Sequence, residues 1–108
     1  MRVPIICLLS AFVLPGFAAE TYTETPATVD MQAVKLGKHS YFVQGMAGAA
    51  SAANQGFMSN AGFVVTRQGV VVFDALGTPP LARRLVQVIR GVTRQSIRRV
   101  IISHYHAD

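Results

Sequence analysis

The residues best suited to chemistry are the last five of the chain, His104-Tyr105-His106-Ala107-Asp108. Two imidazoles spaced i and i+2 and a carboxylate at i+4 directly follow the apolar segment Val100-Ile101-Ile102. Open α/β sheets place their sites at the carboxyl ends of strands, and imidazole and carboxylate are suitable ligands for Zn²⁺ in a water-open site. A His-x-His pair alone would be weak evidence, because surface pairs are common. The apolar strand before the pair favours a metal site over a polar tail.

A strand, a helix and a second strand are predicted to position these groups. Val70–Phe73 is β-branched and ends at Asp74, and its continuous apolar character predicts a strand buried on both faces. Thr78 is a good N-cap, with proline next, and the helix is predicted to end around Gly91. Its apolar stripe consists of Leu81, Leu85, Val88, Ile89 and Val92. A strand over 97–103 follows, so the crossover predicts two parallel strands in one sheet.

Two β-hairpins are predicted before this unit. Residues 31–36 and 40–44 form the first, with a turn at Gly37-Lys38, and His39 beside that turn is predicted to be a surface residue and not a ligand. Residues 61–66 and 70–73 form the second, where Gly69 supplies the positive φ of the turn. Residues 45–60, rich in Gly, Ala, Ser and Asn, are predicted to form a long loop that is either functional or disordered.

The N-terminal segment has the pattern of an export signal. Arg2 precedes an apolar stretch that ends at Pro15-Gly16, and small residues allow cleavage after Ala18 or Ala19. The division predicted is therefore a signal peptide over 1–19, a flexible leader over 20–30 and a domain over 31–108. The apolar stretch is short of the ~20 residues of a spanning helix, so no stable membrane anchor is expected, with an uncleaved anchor as the alternative.

Charge and cysteine usage narrow the remaining classes. Cys7 is the only cysteine and lies within the signal segment, so a metal site in the mature chain must use histidine and carboxylate. The formal net charge of the chain is +5. A solvated surface is predicted for the arginines that carry the excess, because no aromatic residues interleave with them and an exported protein rarely meets nucleic acid. These arginines are Arg83, Arg84, Arg90, Arg94, Arg98 and Arg99.

Over residues 31–108 the chain resembles the metallo-β-lactamase superfamily. The resemblance rests on four features: Asn60-Ala61-Gly62 at the entry to a strand pair, Val71-Val72-Phe73-Asp74 at a strand end, the amphipathic helix, and the segment from Ile101 to Asp108. It implies an α/β (α+β) fold that is the N-terminal half of an αββα sandwich, built from two β-hairpins and a β-α-β unit. In that family one more histidine follows the aspartate, and further ligands come later in the chain. The resemblance therefore implies a fragment that ends within the metal-binding motif and is inactive alone.

The resemblance also implies roles for individual residues. His104 and His106 would bind the first metal, and Asp108 would bind a second metal or orient the attacking water. Asp74 would support the site from the strand end beneath it without being a ligand. The long loop would border the substrate cleft, with Met46, Asn54, Phe57 and Asn60 as its candidate residues. The cofactor implied is one or two Zn²⁺ ions.

The predicted function is that of an exported, periplasmic or secreted zinc-dependent hydrolase acting on a small molecule. A general periplasmic hydrolase is favoured over a true β-lactamase, and export argues against nucleases and cytosolic thioesterases. The alternative is a non-catalytic binding or accessory module of the same fold, or a pseudogene product. Nucleic-acid binding through the arginines is a third hypothesis, not favoured.

Overall fold

The computed structural model describes residues 23–106 and Asp108, so the predicted signal peptide over 1–19 lies outside the described residues. The elements are β1 (Val34–Lys35), β2 (Ser40–Val43), β3 (Ala61–Thr66), β4 (Gly69–Phe73), α1 (Pro79–Val92) and β5 (Ile97–Ile101). In the described part of the chain, no helix has the length and apolarity needed to cross a membrane.

The five strands form one mixed sheet in the order β1-β2-β3-β4-β5. Each of the first three neighbouring pairs is antiparallel, and β4 pairs with β5 in parallel across α1. Both predicted hairpins and the predicted β-α-β unit are therefore confirmed, and the class is α+β, as expected for part of the sandwich.

The outer strands are shorter than predicted. In the first hairpin only Val34 and Lys35 pair with β2, because the chain before them turns inward and buries Met31 at 3% exposure. Strand β5 ends at Ile101, two residues early. There the backbone is held by Asp74, whose amide donates to the Ile101 carbonyl over 2.8 Å.

Helix α1 begins as its sequence predicts. The Thr78 hydroxyl accepts a hydrogen bond from the Leu81 amide at 3.5 Å, and proline fills the first turn, where no amide donor is needed. The helix ends at Val92, one residue later than predicted. Leu81, Leu85 and Ile89 are buried against the sheet, whereas Val92 is partly exposed.

The core lies between α1 and one face of the sheet. Alternation along the strands sends Val43, Phe63, Val70 and Val72 to this face, where all four are buried. Tyr41 stacks on Phe63 with ring centroids 4.8 Å apart. Packing of α1 on this face holds β4 and β5 in place, and the carboxyl ends of these two strands carry the candidate site.

The opposite face of the sheet is open. The register aligns Val34, Phe42, Gly62, Phe73 and Ile101 in one row across all five strands. Phe73 is 41% exposed and Ile101 44%. The prediction that Val70–Phe73 is buried on both faces is therefore wrong, because Val70 and Val72 pack under α1 while none of the described residues covers Phe73.

The predicted flexible leader over 20–30 is docked in its last part. Thr28 and Gln55 exchange two hydrogen bonds, of 2.9 Å and 2.8 Å, and Val29 is buried in the core. Glu24 also forms a salt bridge with Arg83 of α1. The described part of this segment, residues 23–30, thus contacts the domain through Glu24, Thr28 and Val29.

Candidate metal centre

Asp74 links the ends of the two parallel strands. Its backbone has a left-handed conformation, with φ of 59°, which aspartate adopts more readily than most residues with a Cβ. Its amide donates to Ile101, and its Oδ1 accepts the Ser103 amide at 2.8 Å. The carboxylate therefore fixes the first residues after β5, directly before His104.

The segment after Ser103 brings the three candidate ligand side chains together, those of His104, His106 and Asp108. One ligand atom from each lies within 4.8 Å of the other two, and His104 Nε2 is 3.2 Å from Asp108 Oδ1. The two imidazole rings meet edge to face with centroids 4.9 Å apart. Tyr105 between them is 92% exposed, and its ring lies against that of His106 with centroids 4.4 Å apart. The sequence prediction that these three side chains can meet once the chain leaves the strand is thus met by the geometry.

The three groups suit a zinc ion in both chemistry and spacing. Bonds of about 2.1 Å in a tetrahedral site separate neighbouring ligand atoms by about 3.4 Å. The 3.2 Å between His104 Nε2 and Asp108 Oδ1 matches that separation, and the widest spacing, within 4.8 Å, closes with a movement of about 1.4 Å at most. His104 and Asp108 side chains are 41% and 36% exposed, so they are free to make it.

Ser103 is a residue of the site that the sequence interpretation left without a role. Its hydroxyl lies 2.9 Å from His104 Nδ1, and the donor depends on the tautomer of the ring. With the proton on Nδ1, His104 donates to Ser103 and presents Nε2 as a free ligand atom. A serine before a histidine is too common for the sequence alone to reveal this contact.

The same contacts set the charge state of Asp74. The hydrogen bond from the Ser103 backbone amide is the largest cause that holds the pKa of Asp74 below its ordinary value. A Ser103 side-chain hydrogen bond and the nearby His104 act in the same direction, whereas desolvation opposes them. Asp74 is therefore an anion wherever the site could hold a metal cation.

The long loop over 45–60 is folded around Asn54, which is 5% exposed. Its Oδ1 accepts the amides of Ser51 and Gly56, each at 2.9 Å, and its Nδ2 donates to the Ala49 carbonyl at 2.9 Å. The oxygen and the nitrogen of this side chain thus both form hydrogen bonds with backbone groups of the loop. Asn54 organises the loop in this structure and does not face solvent.

The other three candidate cleft residues divide by exposure. Phe57 is 1% exposed in the core, and its carbonyl accepts the Met46 amide at 2.7 Å. Met46 is 43% exposed, and Asn60 is exposed with its Oδ1 accepting the Gly45 amide at 2.9 Å. Only Met46 and Asn60 thus present surface to a ligand here, and substrate contact by any of the four stays a prediction.

His39 lies at the other end of the sheet. Its carbonyl accepts the Val65 amide at 2.8 Å, and Ser40 after it pairs with Val64 near the β3–β4 turn. The register thus separates His39 from the other histidines by the length of β3.

Comparison with known families agrees with this geometry. A family model described as the metallo-beta-lactamase superfamily matches residues 54–108, which is half of the chain and includes every candidate ligand. A comparison with curated proteins gave no match.

Proposed function

The chain belongs to the metallo-beta-lactamase superfamily, and we propose that His104, His106 and Asp108 bind Zn²⁺ in an exported hydrolase of a small-molecule substrate. The observation that carries the proposal is the meeting of these three side chains within 4.8 Å at the carboxyl end of β5. The signal-like pattern of residues 1–19 supports export, and with it a location of the mature chain in the periplasm or outside the cell.

Each residue of the candidate site would have a distinct role in metal binding and hydrolysis. His104 and His106 would hold the cation, and the Ser103 hydroxyl would accept a hydrogen bond from Nδ1 of His104 when Nε2 binds the metal. Asp108 would bind a metal ion or orient the attacking water. Asp74 holds the Ser103 amide, so the turn that carries His104 keeps its direction. Zinc, when bound, would lower the pKa of a water to ~7 and polarise the scissile carbonyl or phosphoryl group.

Residues 1–108 alone do not turn over substrate under this proposal. His104 and Asp108 side chains are 41% and 36% exposed, and none of the described residues forms a wall opposite them. Efficient metal hydrolysis needs a shaped cavity that excludes water and orients the substrate. Zinc binding and turnover are therefore separable properties, and they are tested separately.

Zinc affinity tests the ligand assignment. Competition with a chromophoric chelator should show one zinc site in the chain, and His104→Asn with His106→Asn should weaken it at least about 100-fold. His39→Asn is the matched control, since it removes an imidazole from the opposite end of the sheet. Equal losses in both variants would mean that the metal binds nonspecifically, and the ligand assignment would be withdrawn.

Turnover tests the hydrolase assignment. The chain of 108 residues should show no zinc-dependent hydrolysis of ester, thioester or β-lactam probes. A longer protein that carries these residues should show activity, and His104→Asn should abolish it. Neither added zinc nor refolding should restore the activity of that variant. A zinc-loaded longer protein that hydrolyses none of the probe classes would favour the binding-module alternative.

A further inference from the structure

A shallow pocket of about 380 Å³ lies at the end of the sheet opposite the metal centre. It is formed where the β3–β4 turn meets the beginning of β5. It is lined by residues 66–69 of the turn, by Val71, and by Arg98 and Arg99. Arg67, Arg98 and Arg99 are all exposed and line this one pocket together, so an anion in the pocket would face three guanidinium groups.

A β-bulge brings two consecutive arginines into this pocket. The β4–β5 register passes from Val70–Ile97 to Val71–Arg99, which leaves Arg98 as the extra residue. In a regular strand, side chains of neighbouring residues point to opposite faces. The bulge breaks that alternation, and Arg98 and Arg99 both line the same pocket.

The facing turn is shaped to admit the Arg98 stem. Gly69 has φ of +128°, and a Cβ there would lie 2.4 Å from Arg98 Cγ and 2.7 Å from the Ser96 carbonyl oxygen. Thr66 fixes the same turn, since its hydroxyl donates to the Gly69 carbonyl at 2.8 Å and accepts the Gln68 amide at 3.1 Å. The turn thereby holds Arg67 on the other side of the pocket.

No carboxylate of the described residues neutralises these arginines. Glu24 pairs with Arg83, and Asp108 pairs with His104. Asp30 accepts Gln32, and Asp74 accepts Ser103. The four carboxylates that the structure describes are therefore all engaged elsewhere.

We propose that the pocket of Arg67, Arg98 and Arg99 binds a phosphate group. Guanidinium groups donate paired hydrogen bonds that match phosphate oxygens, and several around one anion offset their mutual repulsion. The group could belong to a free phosphate ester or to a phospholipid headgroup, because both present the same oxygens. Nucleic acid fits less well, since no aromatic side chain lines the pocket to stack on a base.

Titration with inorganic phosphate, followed by amide NMR of the 108-residue chain at constant ionic strength, tests the site. Saturable shifts are expected at Gly69 and Arg98, and Arg98→Gln with Arg99→Gln should weaken binding roughly tenfold or more. Arg90→Gln with Arg94→Gln is the matched control, because it removes the same charge from exposed residues that line a neighbouring hollow instead. Circular dichroism establishes that both variants keep the fold.

A second arm separates the two sources of phosphate. Vesicles of phosphatidylcholine with and without phosphatidylglycerol are sedimented with the chain and with both double variants, which share the same N-terminal residues. Saturable binding of inorganic phosphate without phosphatidylglycerol-dependent sedimentation assigns the pocket to a free ester. Phosphatidylglycerol-dependent sedimentation that only the Arg98/Arg99 variant loses assigns it to a headgroup. Equal losses in both double variants, or no response in either arm, would overturn the proposal.

Discussion

At the scale of single residues, Asp74 controls the direction in which the candidate ligands leave the sheet. It touches no candidate ligand directly, and its carboxylate acts through the Ser103 amide. Its left-handed backbone makes the position unusual, because most side chains would be strained there. Two substitutions separate the backbone effect from the carboxylate effect.

Asp74→Ala is expected to lower zinc affinity by roughly tenfold, because removal of a group that orients a ligand typically costs 10- to 100-fold. Asp74→Asn is the matched control, since asparagine tolerates the left-handed backbone and keeps an acceptor for Ser103. It should lose less affinity than alanine. Chelator competition on both variants is the measurement, and equal affinities for alanine and wild type would show that Asp74 does not position the site.

The pKa of Asp74 predicts a stability difference that depends on pH. Because the folded state lowers the pKa, the charged carboxylate stabilises the fold above the ordinary value of about 3.9, and this contribution is lost as pH falls through the lowered value. In metal-free buffer, wild type should therefore melt above Asp74→Asn at neutral pH. The gap should close in acid, and a gap of constant size across the range would contradict the assignment.

At the scale of elements, the β3–β4 turn shows how one residue without a side chain fixes a contact between strands. Gly69 both closes the hairpin and leaves room for Arg98 of β5. The sequence predicted its positive φ from the turn alone. It could not predict the contact with Arg98, because the register of β5 depends on a bulge that no local pattern marks.

Gly69→Ala is expected to lower the free energy of unfolding by about 2 kcal/mol, from backbone strain together with the clash against Arg98 and Ser96. Gly91→Ala is the matched control, since Gly91 lies in α1 with no atom near its would-be Cβ. That change should raise the free energy by about 0.5–1 kcal/mol. Urea unfolding of both variants is the measurement, and a neutral Gly69→Ala would show that the turn relaxes.

Elements with strong local signals were predictable from the sequence, and the loop contacts were not. The β3–β4 hairpin and α1 agree within one residue, because turn chemistry, the Thr78 cap and the apolar stripe all act locally. Asn54 and Phe57, which were predicted as residues of the loop bordering the cleft, lie inside the loop and the core. Their burial depends on contacts across the whole loop, which composition does not encode.

At the scale of the whole molecule, the two ends of the sheet have different chemistry. The carboxyl ends of β4 and β5 carry the candidate metal ligands with Asp74 and Asp108. The other end carries the pocket of three arginines. Because the ends are a strand length apart, substitutions at one end should leave ligand binding at the other unchanged, which makes each set a control for the other.

The open face of the sheet predicts self-association of the 108-residue chain. Phe73 and Ile101 are adjacent in the register and 41% and 44% exposed, and contiguous apolar surface of this kind drives association in water. Phe73→Thr with Ile101→Thr should lower dye binding to apolar surface and shift sedimentation toward the monomer, with the fold retained because threonine favours strands.

Val72→Thr is the contrasting variant. Val72 is 3% exposed under α1, so its change should lower stability without reducing association. Association unaltered by the double substitution would show that another surface, and not the uncovered face, holds the copies together.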